Sequence, residues 1–169
     1  MSSSLTLVTS TRQTEYLASL SVKHPQMDKI VPVAIAIIHK DNKFLLTERK
    51  GNDPDDPPGG RVWHFPGGSI EFGETIEAAL KREIKEELNL EIIIERQLGE
   101  IYSAIRPHWH GILIPYICTI QGEENIQLDH ESYQYGWFTK DNIATLHTLP
   151  FVQNMAEQYE ISSLINSSF

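Results

Sequence analysis

The sequence predicts an α/β domain built around a mixed β-sheet, and three observations predict it. Runs of β-branched residues mark several strands, one long amphipathic helix interrupts them, and helical texture returns only toward the C-terminus. A chain of 169 residues that is 40% hydrophobic suits one domain with its own core and leaves little room for two.

The elements follow in order. Residues 1–29 read as a polar N-terminal segment, with Tyr16, Leu17 and Leu20 at helical spacing in a short candidate helix over Thr11–Leu20. Residues 30–169 are expected to form the single domain. It opens on the apolar run Ile30–Ile38, a buried strand that Asp41-Asn42 turns into a second strand over Phe44–Glu48. The stretch Gly51–Gly60, rich in Asp, Pro and Gly, is a loop. Its acids do not make an EF-hand, because His64 stands where the closing Glu would fall. A short strand over Val62–Phe65 then runs into Pro66-Gly67-Gly68, read as a tight turn. A helix over Thr75–Leu88 follows, with strands at Leu90–Leu98, Ile101–Ile105, Trp109–Ile120 and Tyr133–Phe138. Helical texture returns near Asp141 and again from Phe151 to the end.

Composition narrows the function classes. Lys and Arg number 14 against 23 Asp and Glu, a formal charge of −9 that repels phosphate backbones and anionic lipid. No stable nucleic-acid binding and no membrane association are therefore expected. Cys118 is the single cysteine, which excludes an internal disulfide and a multi-cysteine zinc site. Met1–Thr6 lacks the basic and apolar regions of a signal peptide, so a cytoplasmic location is expected.

The informative segment is the helix. Ile76, Leu80, Ile84 and Leu88 make one apolar stripe with Ala79 beside it, and Lys81 and Lys85 point away from it. Glu83 and Glu87 fall inside that stripe and Glu86 on its flank. A carboxylate buried without a partner costs several kcal/mol, about 1–3 even where a hydrogen bond is merely lost, and neighbouring acids repel one another. A hard divalent cation such as Mg²⁺ or Mn²⁺ resolves the conflict through oxygen ligands. The bland alternative is a solvated helix with a narrow stripe. Ahead of the helix, Gly67 and Gly68 would let the backbone approach a ligand closely. No Gly-Lys-Ser/Thr follows, which excludes a P-loop.

Together Gly68, Glu74, Arg82, Glu83, Ile84, Glu86, Glu87, Asn89 and Leu90 resemble the Nudix hydrolase signature. In that signature a Gly, five residues, a Glu and seven residues precede Arg-Glu-apolar-X-Glu-Glu-X-Gly-apolar. One position departs, Asn89 standing where the family has Gly. The departure is mild, because Asn is the next-best residue for a left-handed helix end. The resemblance implies an α/β/α sandwich around the mixed sheet and a small-molecule nucleotide substrate. Mg²⁺ or Mn²⁺ would be held by Glu83, Glu86 and Glu87 with help from the Gly68 carbonyl. Arg82 would position a box carboxylate, and Glu74 would support the loop. The implied reaction is hydrolysis of a pyrophosphate bond in a nucleoside diphosphate linked to another group.

The general base is open between the box acids and Glu131, which lies in a loop before a strand where some members supply an extra Glu. Against it stands an ordinary exposed loop acid. His108 and His110 alternate as on a strand and are candidates for substrate contact rather than zinc ligation. Trp63 and Trp109 could stack on a base, although strand aromatics are core residues more often. Pro107 lies near the position where some ADP-ribose hydrolases of the family carry Pro, and Leu128–Phe138 is faintly similar to nucleotide-sugar members. The wording Phe65–Gly68 and Glu71–Glu74 looks like members acting on nucleoside triphosphates, which is the preferred reading. The rivals are an isomerase on the same fold, which would need Cys118 reactive beside the metal site, and a non-catalytic nucleotide-binding regulatory module. A homodimer is the oligomer to test for.

Overall fold

The computed structural model describes residues 28–51 and 60–166. The candidate helix over Thr11–Leu20, the centre of the acidic loop at 52–59 and the last residues of the C-terminal helical stretch lie outside the described residues. Strand β1 (Lys29–Lys40) is the longest of the first half, and its β-branched residues carry it through the middle of the sheet. Asp41 and Asn42 both adopt positive φ (50° and 59°), the two-residue turn that the right-handed twist of a hairpin favours. The chain returns as β2 (Lys43–Arg49) and, after the loop, β3 (Trp63–His64), which pairs with β2.

Pro66-Gly67-Gly68 is more than the turn expected from sequence. Gly67–Ser69 forms a short strand, β4, antiparallel to Val33–Ile35 of β1. Gly67 has φ 138°, and a Cβ there would overlap the Ala34 carbonyl oxygen, so this close pairing is open only to glycine. Helix α1 (Ile76–Leu88) follows, then β5 (Ile92–Gln97), β6 (Tyr102–Arg106), β7 (Trp109–Ile120) and β8 (Ser132–Phe138). The described chain closes with α2 (Lys140–Ile143) and α3 (Val152–Asn166). The strands run in the order β3-β2-β1-β7-β5, with β4 on β1, β6 on β7 and β8 on β2. β1 and β7 are parallel over Lys29–Ile38 and the other pairs antiparallel, so the sheet is mixed.

Alternation along β1 divides the core between two layers. Ala34, Ala36 and Ile38 pack under α1 with Leu80, Ile84 and Leu88. Ile37 faces the opposite way, among Phe44, Leu46 and Phe65, where Val152, Met155 and Ala156 of α3 cover the sheet. The Tyr159 ring meets Phe44 edge-on at 5.2 Å and its hydroxyl bonds His39 Nδ1 at 3.1 Å, tying α3 to the end of β1. The result is an α/β/α sandwich. No helix among the described residues is long and apolar enough to cross a membrane.

Helix α1 has defined ends. The Thr75 hydroxyl accepts a hydrogen bond from the Ala78 N–H at 3.2 Å, a conventional N-cap. Asn89 closes the helix in the left-handed region, φ 54° and ψ 32°, and its N–H reaches the Lys85 carbonyl at 3.0 Å. Asn89→Gly should therefore leave thermal stability within about 0.5 kcal/mol of the parent, whereas Asn89→Val should cost about 1–2 kcal/mol. Denaturant melts of the two variants check this, and equal stability of both would contradict it.

Candidate active site

The box residues converge where β4 meets α1, and Arg82 organises them. Its Nε and Nη2 fork onto the two oxygens of Glu74 at 2.8 and 2.9 Å, the bidentate geometry that guanidinium favours. Nη1 reaches Glu83 at 2.8 Å and Glu86 at 3.3 Å, and Nη2 also donates to the Ser69 carbonyl at 3.1 Å. The guanidinium and the Glu71 N–H hold the Glu74 carboxyl down at about 2. One arginine thus joins the β4 loop to the helix.

The acids inside the apolar stripe behave differently from those outside it. Burial pushes the Glu87 carboxyl up to about 8; the Gly67 N–H, donating to it at 3.1 Å, opposes that, while Glu83, Asp129 and Glu131 add repulsion. Glu83 is also raised, chiefly by burial, with Arg82 pulling it back. Its carboxylate lies flat against Gly68, where a Cβ would overlap it. Gly68 is needed for this contact between backbone and carboxylate, a reason the sequence reading did not anticipate. Glu86, by contrast, is exposed, at 61% of its side chain, and leans on Arg82.

Glu131 reaches the same place from the far side of the sequence. Asp129 N–H bonds the Glu87 carbonyl and Gln127 N–H the Leu88 carbonyl, which satisfies the end of α1. The Asp129 side chain then accepts from the N–H groups of Glu131 and Ser132, both at 3.1 Å, and this Asx turn presents Glu131 to the cleft. The cleft has a volume of about 360 Å³, and Glu83, Glu87, Glu131, Gly67 and Gly68 line it. Leu149, Pro150, Val152 and Met155 form an apolar wall.

Other expected contacts fall elsewhere. His108 does not lie on a strand; it sits in the β6–β7 turn with φ 61° and bonds Asp28 at 2.8 Å, so it and His110 do not share a face. Neither histidine lines the cleft, and His110 Nε2 is buried without a hydrogen-bond partner. Trp63 is packed against Phe138, ring centroids 4.7 Å apart, within the second core layer and outside the cleft. Trp109 lines it instead, as do Arg49, His64 and Arg106, which sequence reasoning passed over. His64 is oriented by the Phe65 carbonyl on Nδ1 and Thr47 on Nε2. Basic residues at a strand end and beside a turn carry no periodic signal, so only pairing could locate them. Cys118 is an inert thiol in the core under α1, pushed up to about 12 by burial, which removes the isomerase reading.

The donors suit a hard dication. They are carboxylates and a backbone carbonyl, and two of the carboxyls are desolvated and raised, the condition a bound cation would relieve. Among the described residues no three acidic, imidazole or thiol groups already stand at metal-binding separation. Arg82 draws Glu83 and Glu86 to itself, so their closing on an ion would mean loosening that grip.

Comparison with known proteins agrees with the geometry. The NUDIX domain family matches residues 29–160. An ADP-ribose pyrophosphatase of Methanocaldococcus jannaschii is 38% identical over 111 residues, 65% of this chain and 62% of that protein. The match thus spans less than two thirds of that relative's length. A CTP pyrophosphohydrolase of Escherichia coli is 38% identical over 115 residues, 63% of this chain and 82% of that protein. A solved NUDIX hydrolase from Nitrosomonas europaea superposes with a TM-score of 0.66 at 25% identity, covering 79% of this chain and 90% of its own. In fold alone, a MutT protein from Methanosarcina mazei superposes with a TM-score of 0.68 at 20% identity, over 80% of this chain and 96% of that one. With its box residues gathered on one helix and loop, and with a family match across the described fold, this chain belongs to the Nudix family.

Proposed function

We propose that the protein is a divalent-metal-dependent pyrophosphohydrolase acting on a nucleoside diphosphate linked to another group, with a nucleoside triphosphate or nucleotide sugar as the preferred class. The observation that carries this reading is the pair of desolvated carboxyls, Glu83 and Glu87, in a cleft that Glu131 also lines. The named relatives act on ADP-ribose and CTP, and both molecules contain a nucleoside diphosphate unit extended by a further group.

Glu83, Glu86, Glu87 and the Gly68 carbonyl would hold Mg²⁺ or Mn²⁺. Bound there, the ion would polarise a phosphoryl oxygen and lower the pKa of a coordinated water. The chain's own residues do the rest. Arg82 anchors the loop through Glu74 and the Ser69 carbonyl and holds Glu83 beside it, a grip that would loosen as the box acids close on an ion. Gly67 N–H orients Glu87. Glu131, exposed at the cleft, accepts the proton as water adds to phosphorus and the bridging P–O bond breaks. Arg49 and Arg106 line the cleft and counter the charge of the phosphate groups.

The test is phosphate and pyrophosphate release over nucleoside triphosphates, nucleotide sugars, ADP-ribose and dinucleoside polyphosphates, with Mg²⁺, with Mn²⁺ and with chelator. Cleavage of one class, abolished by chelator, is the expected result. Silence across the panel together with tight nucleotide binding would transfer the assignment to a regulatory binding module.

A further inference from the structure

We propose that Trp109, seated on Gly111, is the stacking platform on which the cleft receives the nucleobase of its ligand; the inference rests on the nucleotide reading above and adds the group that recognises the base. Trp109, Gly111 and Leu113 are alternate residues of β7 and share one face of the sheet. Trp109 and Leu113 both line the cleft. Between them, a Cβ on Gly111 would overlap the far edge of the indole, with Cζ2 and Cζ3 each 2.7 Å away. The ring therefore lies back along its own strand, over Gly111, instead of standing upright. Across the ladder Gly111 pairs with Ala104, a second small residue lining the cleft, so the row beneath the ring is low.

The placement of this ring differs from that of the other two tryptophans. Trp63 and Trp137 pack against the core layers, each among buried apolar side chains. Trp109 belongs to neither layer as they occur among the described residues. Its register partner on β6 is Arg106, whose guanidinium carbon stands 5.3 Å from the ring centroid. Leu149, Val152 and Met155 line the same cleft. An aromatic ring and apolar side chains lining one cleft suit a flat heteroaromatic ring, and stacking tolerates any base because every base has a π-face. The acids lining the same cleft are then left for the phosphate side of the ligand.

Gly111 is thus a positioning residue and Trp109 the contact. The experiment is calorimetric titration of the full chain, in Mg²⁺, with AMP, GMP, CMP and UMP and with ribose 5-phosphate, which lacks a base. None of these probes has an anhydride to cleave. The parent is expected to bind nucleoside monophosphates at least about fivefold more tightly than ribose 5-phosphate. Trp109→Ala and Gly111→Ala should erase that preference, and Trp109→Phe should keep most of it, a rescue that a purely structural role would not produce. Circular dichroism melts within a few degrees of the parent would show that the variants are folded. A parent without the preference, or a preference surviving in W109A, overturns the proposal. Turnover on the panel above with no base preference would sink the platform alone, whereas base-dependent binding with no turnover would sink the hydrolase reading alone.

Discussion

Glu87→Gln is expected to cut metal-dependent turnover on the order of 10²–10⁴-fold while leaving a protein that melts no lower than the parent. The activity loss follows from removing a negative ligand whose site is desolvated. The retained stability follows from what burial does to this carboxyl. Its folded value, about 8, lies above the ordinary 4.5, so folding favours the neutral acid. The stability this contributes is fully present below pH 4.5 and is lost as pH rises through 8. Glutamine keeps an oxygen for the Gly67 N–H and never ionises, so it escapes the loss. In chelator, the melting temperatures of parent and variant should coincide near pH 4.5 and separate by pH 8–9, the variant being higher by about 2 kcal/mol or more in stability. Thermal melts across that range, beside assays with Mg²⁺, check both halves. Wild-type turnover in the variant would refute the metal assignment, and a pH-independent gap would refute the buried-acid argument.

Arg82→Ala should lower kcat/KM by about 10–100-fold, and Arg82→Lys should restore little of it. The guanidinium serves Glu74 through two donors while holding Glu83, Glu86 and the Ser69 carbonyl with the rest. An ammonium is a point charge and cannot reproduce that fork. Without it, Glu83 keeps its desolvation and loses the cation that offsets it. The side chain of Arg82 is 25% exposed, so water compensates part of the loss, and the stability cost should be modest, about 1–2 kcal/mol. Steady-state kinetics and melts of the two variants decide it. Full activity in the lysine variant would show that charge alone suffices.

Much of the site was legible because it is local. The conflict between an apolar stripe and the acids inside it could be read from the spacing of Leu80, Glu83, Ile84 and Glu87, and these residues do lie on one half-buried face. Asn89 could be read as a left-handed helix end from its position alone. Glu131 was reached only as an outside candidate, since its approach depends on Asp129 bonding across to the end of α1.

What failed was long-range. Trp63 and Trp109 are both strand aromatics beside histidines, and nothing within a few residues tells which one faces a cleft. That was decided by packing: Phe138, far away in sequence, meets the Trp63 ring, while the Trp109 ring lies over Gly111 of its own strand and lines the opening with Leu149, Val152 and Met155 from the end of the chain's described part. His108 looked like a strand residue until the β6–β7 turn put it at positive φ. Gly67–Ser69 became a strand only because β1 offered Val33–Ile35 as an edge. By itself the sequence determined periodicity, caps and the chemistry of the helix, because 3.6-residue and two-residue repeats are properties of the local backbone. Tertiary structure alone decided which faces remain open and which groups meet across the cleft, because burial is settled by non-local packing that no single segment encodes.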